Sequence, residues 1–204
     1  MNAAILALGA WHGINPGMGW LFAVALGLQE GRGRAVLRAL PPLALGHALA
    51  VGLTLLAGLS LGLVIPIQLL KWLVAAALLG FGISKLIRSR HPTYGGMQVG
   101  MGGLTLWSML MASAHGAGLM VLPFVLGQEA QAMHDGVNMA GMSAHPMGLV
   151  ATGVHTAAYL LVAGCVALLV YHKLGLRLLR KAWINLDLIW AAALIATAIA
   201  TPLI

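Results

Sequence analysis

Charged side chains are scarce in this sequence. They make up 7% of its 204 residues, against roughly 25% in soluble domains. With 61% hydrophobic residues and a mean hydropathy of +0.96, that scarcity excludes an ordinary soluble domain. Cysteine is almost absent as well: Cys165 stands alone, which excludes an internal disulfide and a cysteine metal cluster. No GxxxxGK[ST] loop is present, so the chain holds no ATP-driven motor. No G-x-S-x-G elbow, HExxH helix or paired-carboxylate pattern occurs, and no enzyme is expected. The Gly-rich stretch 95–103 lacks the GxGxxG spacing and a preceding strand, so it is expected to connect rather than to bind a nucleotide. A basic n-region is missing from the start of the chain, and no cleavable signal peptide is expected.

What is present is apolar sequence in long runs. The composition predicts an all-α polytopic integral membrane protein whose main partner is the lipid bilayer. We read six spans, at 3–28, 35–63, 67–87, 104–127, 148–172 and 184–204, each near the roughly 20 residues a bilayer core requires. The eleven Lys and Arg residues sort between the two sides. Arg32, Arg34 and Arg38, then Lys85, Arg88 and Arg90, then Lys173, Arg177, Arg180 and Lys181 fall at odd-numbered loops, and only Lys71 falls near an even-numbered one. Positive charge marks the cytoplasmic face. The expectation is a bacterial inner-membrane protein with both termini outside. Its formal charge of +7 is then an orientation signal and a contact for anionic headgroups, not a nucleic-acid surface.

The two halves echo each other. His12-Gly13 answers His115-Gly116, Gly27-Leu28-Gln29-Glu30 answers Gly127-Gln128-Glu129, and Gly46-His47-Ala48 answers Val154-His155-Thr156. Three spans per copy is an odd number, so the second copy must be inverted. The reading is one membrane domain, 1–204, with repeat 1 over about 1–90, repeat 2 over about 104–204 and a cytoplasmic loop at 91–103. Inverted repeats with interrupted helices and a midplane site are the architecture of many secondary transporters.

The chemistry-bearing residues lie inside these spans. His12, His47, His115 and His155 occupy corresponding places, and an ionisable group at membrane depth is a functional-site hypothesis. Imidazole binds transition metals and titrates near neutral pH. The same rings can instead hydrogen-bond neighbouring helices and fix packing. Pro16 breaks the first span beside Asn15, Gly17 and Met18, and the glycines there and at Gly116 and Gly118 can expose carbonyls to an ion. Pro123 is expected to kink the fourth span. Thr152, His155, Thr156 and Tyr159 share one helical face and can line a pathway or glue helices together. Glu30, Glu129 and Asp187 sit at span ends as gates, proton carriers or merely solvated acids. Nine of eleven methionines fall between Met97 and Met147. With His134 and His145 they suit soft ions, or fill gaps in packing.

The segment His12-Gly13-Ile14-Asn15-Pro16-Gly17-Met18 resembles the first-span motif of NicO-type nickel/cobalt exporters, and Leu45-Gly46-His47-Ala48-Leu49-Ala50-Val51 resembles their second-span histidine motif. The likeness covers the first two spans; beyond them it is architectural, to the LysE-like superfamily of six-span transporters. Asn15 stands where that group carries an acid, and Met18 where it carries a second histidine. The resemblance implies a small secondary transporter exporting a transition-metal cation of the nickel, cobalt or copper class in exchange for protons. The metal is substrate, and no resident cofactor is expected. His12, Asn15, Met18 and His115 would form the central site, with His47 and His155 as further ligands or proton carriers. Two other readings stay open: export of amino acids or small metabolites on the same fold, and an assembly subunit whose histidines meet a partner or a haem. Pairing into a homodimer is a further expectation.

Overall fold

The computed structural model describes residues 3–87, 100–134, 144–174 and 186–203. Among them there is helix and no strand. The elements are α1 (Ala3–Ile14), a 3₁₀ turn (Pro16–Met18), α2 (Trp20–Glu30), α3 (Gly33–Gly62), α4 (Ile67–Ile87), α5 (Met101–Ala114), α6 (Ala117–His134), α7 (Ala144–Leu169, running into a wider turn at Val170–Leu174) and α8 (Leu186–Ala200, closed by a 3₁₀ turn at Thr201–Leu203).

Three described helices, α3, α4 and α7, are long and apolar enough to cross a bilayer, and the pair α5–α6, bent by 60° at its break, makes a fourth if counted as one span. α3 has 30 residues and is therefore about 45 Å long, well beyond a hydrocarbon core of about 30 Å. Pro41 and Pro42 lie inside it without ending it. The outer surface is apolar: Leu53, Leu63, Val64, Leu149 and Leu161 are exposed, as is Cys165 on α7.

The first predicted span is two short helices, because Pro16 cannot donate to the carbonyl one turn back. The fourth is also two helices, but Pro123 is not the cause. α6 runs through Pro123, and the break falls at His115–Gly116. Gly116 adopts φ +67°, a left-handed conformation that only glycine enters freely. The gap between the fourth and fifth predicted spans is narrower than the hydropathy implied: α6 extends to His134 and α7 starts at Ala144. Most of the Met/His-rich stretch, at 135–143, lies outside the described residues, as does 91–99 of the connecting loop.

The packing has an exchange pattern. α1 lies along α7 as extensively as α5 lies along α3, while α3 meets α7 and α4 meets α8. The α1–α7 approach is backbone-close. A Cβ on Gly9 would collide with the carbonyl oxygen of His155, and one on Gly13 would stand 2.6 Å from that of Tyr159. Glycine on α1 is what lets the two histidine-bearing helices touch. At one end of the bundle the α2–α3 turn meets the end of α7, with Gly33 beside Tyr171 and His172. Arg32, Arg34 and Lys173 are thereby gathered at that end. Lys71, on α4, is buried.

Candidate functional site

Three of the four predicted histidines come together. His12 ends α1, His47 is mid-α3 and His155 is mid-α7, and all three are fully buried. Ring centroids are 5.7 Å apart for His12–His47, 5.1 Å for His12–His155 and 5.3 Å for His47–His155. Tyr159 stacks on His47 at 4.0 Å with an interplanar angle of 11°.

Backbone carbonyls fix two of these rings. His12 Nδ1 lies 2.7 Å from the Leu8 oxygen, and His155 Nδ1 lies 3.3 Å from the Ile5 oxygen. A carbonyl only accepts, so Nδ1 carries the proton in each neutral ring and the lone pair falls on Nε2. Both Nε2 atoms are buried without a hydrogen-bond partner, as are both ring nitrogens of His47, Asn15 Nδ2 and Thr156 Oγ1. Buried polar atoms are ordinarily satisfied. The six atoms belong to α1, α3, α7 and the turn that follows α1. Even so, among the described residues no three His, Cys, Asp or Glu side chains stand as a ready-made metal ligand group.

His115 is placed by the second break. Its Nδ1 donates to the Met111 oxygen at 2.8 Å, the same one-turn-back bond that His12 makes to Leu8. Its Cε1 lies 3.9 Å from the point where a Cβ on Gly17 would sit, so the fourth-span histidine does reach the first-span break. The sequence grouped it most directly with His12. The structure sets His47 and His155 against His12, and links His12 and His115 through a residue that sequence reasoning missed. Trp190 of α8, buried, lies 4.8 Å from the His12 ring and 5.4 Å from the His115 ring, with Trp11 at 5.9 Å.

The carbonyls of residues 15–18 each accept a hydrogen bond within the protein. Asn15 Oδ1 accepts from Gly17 N–H at 2.8 Å and caps the 3₁₀ turn. The Asn15 carbonyl accepts from Met18 N–H, and the Pro16 carbonyl from Gly19 N–H. Gly17 and Met18 offer their carbonyls to other helices: Trp107 Nε1–H donates to the first at 3.3 Å, and Tyr159 O–H to the second at 2.7 Å. Trp20 Nε1–H covers the Ile14 carbonyl. Asn15 is thus the cap of the turn, and Met18 joins the site through its carbonyl, its side chain buried.

Of the α7 stripe, Thr152, His155, Thr156 and Tyr159 are all buried and face inward. Thr152 Oγ1 donates to the Gly148 carbonyl one turn back, whereas Thr156 Oγ1 has no partner. Glu30 is at the surface, paired with Arg38 near the α2–α3 turn. Glu129 and Asp187 belong to α6 and α8, and their side chains lie outside the described residues.

No protein-family model, curated protein or solved structure matches this chain.

Proposed function

We propose that the chain is a small inner-membrane secondary transporter that moves a transition-metal cation, outward and against protons, through the site formed by His12, His47 and His155. The observation that carries the proposal is the set of buried imidazole nitrogens with lone pairs and no partners, held at the break of a short apolar helix. A carrier has to release what it binds, so ligands that converge only around the ion suit it better than a closed structural shell. Six spans in two inverted repeats remain the proposed topology. The exchange pattern, α1 on α7 and α5 on α3, is what a two-fold relation between halves would produce. The matching one-turn-back bonds of His12 and His115 support the same relation. The likeness to NicO-type exporters is kept as a proposal on the His12–Met18 and Leu45–Val51 segments.

The test is metal content in a metal-sensitive host. Cells expressing the chain should hold less of one of nickel, cobalt, copper or zinc than vector controls, and His47→Ala should restore the control level. Unchanged contents of all four metals would remove the metal reading.

A further inference from the structure

The transport reading uses the middle of the bundle, and one end of the bundle carries a separate feature. We propose that the start of α3 and the end of α7 form a binding site for the headgroup phosphate of an anionic phospholipid, held by Arg32, Arg34 and Lys173. The proposal requires a bilayer around the helices and is independent of the metal reading.

The site starts from glycine. The half-buried Tyr171 ring lies against the α2–α3 turn. Two of its atoms are 3.1 Å from the point where a Cβ on Gly27 would sit, and a third is 3.5 Å from the same point at Gly33. His172 Nε2 is also 3.5 Å from that point at Gly33, and its ring meets Tyr171 edge to face at 4.8 Å. Arg32 and Arg34 flank Gly33, and Lys173 follows His172. Two segments remote in sequence are thus fixed side by side, and their basic residues share one patch. Arg32, Arg34, His172 and Lys173 are all exposed there.

The charges of the patch are not balanced within it. Across 27–38 and 169–174 the sequence has four Lys and Arg residues and one acid, Glu30. Arg38 takes that acid. Among the described residues, Arg32, Arg34 and Lys173 make no ion pair. Like charges held together repel, and an anion brought among them relieves the repulsion. Arginine suits a phosphate in particular, because its planar fork offers two parallel N–H donors.

The flanks of the patch select a lipid among anions. Leu37 stands three residues after Arg34 on α3, and Leu169 stands four before Lys173 on α7. These spacings put each leucine beside the face of its cation and one turn deeper. Both leucines are exposed, by 49% and 54%. A ligand with a phosphate at one end and an acyl chain at the other meets the cations and the leucines together. A soluble phosphate or a nucleic acid would leave the leucines bare. Tyr171 lies at the same level, and tyrosine is enriched where membrane meets water.

The experiment is lipid binding to the full-length protein in a neutral detergent, with no metal added. Phosphatidylglycerol and phosphatidylcholine of equal chain length are titrated separately, and bound lipid is counted by native mass spectrometry. A basic side chain near an anionic surface contributes roughly five-fold in affinity. Phosphatidylglycerol should therefore bind at least about ten-fold more tightly than phosphatidylcholine. Lys173→Gln should weaken it about five-fold, and Arg32→Gln with Arg34→Gln about twenty-fold. Gly33→Leu keeps every charge but wedges the start of α3 away from Tyr171 and His172, and it should weaken binding too. Because a variant can be lost to misfolding, the wild-type protein supplies a second measurement. Phosphatidylglycerol, but not phosphatidylcholine, should slow modification of the exposed His172 by diethylpyrocarbonate. Equal binding of the two lipids, or His172 modified as fast with phosphatidylglycerol as without it, would overturn the proposal. Unchanged affinity in Gly33→Leu would reduce the site to a diffuse basic surface and overturn it as well. Inorganic phosphate that protects His172 at the same concentration as the lipid would assign the patch to a free anion instead.

Discussion

Tyr159 shows how one side chain can serve two halves of a site. Its ring stacks on His47 and its hydroxyl donates to the Met18 carbonyl, so it ties α7 to both α3 and the break in the first helical pair. Tyr159→Phe keeps the stack and removes the bond. Interhelical hydrogen bonds in membranes are worth about 0.6 kcal/mol on average and roughly 1.7 at most. The expected outcome is a loss of thermal stability in detergent within that range, with a larger proportional loss of the proposed metal efflux, because the freed carbonyl loosens the turn that follows His12. Equal efflux by Tyr159→Phe and wild type would show that the bond only packs. Trp190→Ala should do more. Removing a large buried aromatic costs about 3–5 kcal/mol in protein cores, and here it also strips the shared neighbour of His12 and His115. A melting temperature within error of wild type would contradict that.

The residues of the site were legible in the sequence because they are polar where polarity is expensive. His12, His47, His115, His155, Asn15 and the α7 stripe all stand out against apolar neighbours. Trp190 does not. In the sequence it is an apolar side chain in a largely apolar run, and hydropathy alone does not distinguish the buried Trp190 from the exposed Trp72. Which histidines touch was equally hidden, since spacing along the chain fixes neighbours within a helix but not between helices.

At the scale of elements, the gap between expectation and structure lies in the breaks. Pro16 announced the first, because its chemistry forbids the continuing bond. The second is set by Gly116 and its φ of +67°, and a glycine in an apolar run more often means close packing than a turn. Pro123 does not end its helix: proline inside a long apolar helix is tolerated where neighbours re-satisfy the backbone. The contact between α1 and α7 carries a direct prediction. Gly13→Leu places side-chain atoms where the Tyr159 backbone already sits. The two helices must separate, and His12 and His155 with them. Overpacking of this kind typically costs about 1–3 kcal/mol. The substitution should lower the melting temperature and abolish the proposed efflux together, whereas Gly80→Leu, at an exposed position of α4 with nothing within 4 Å of an added Cβ, should leave it intact. Wild-type efflux in Gly13→Leu would argue against a site shared by α1 and α7.

For the whole molecule, the distribution of basic residues and the structure agree at one end. The α2–α3 turn with Arg32 and Arg34 meets the end of α7 with Lys173, two regions about 140 residues apart in order but adjacent in space. Charge counting found this grouping because orientation is decided by loops, whose residues need no tertiary contact to be read. The proposed orientation predicts that a phosphatase or fluorescent-protein reporter inserted after Pro92 reports the cytoplasm, while one fused at the C-terminus reports the periplasm. Reporters that both face the cytoplasm would exclude an odd number of crossings between them, and the inverted relation of the halves with it.

Cys165 gives the molecule a built-in reporter position. It is the one thiol of the sequence and is exposed on α7, six residues beyond Tyr159, about 9 Å along the axis. A thiol-reactive nitroxide or fluorophore therefore attaches at a single known place on the native chain, with no other cysteine to remove first. The label rides on the helix that carries Thr152, His155, Thr156 and Tyr159. Its spectrum in a bilayer, with and without an added transition-metal cation, records whether the histidine-bearing helix rocks as a unit or stays still while only the rings turn.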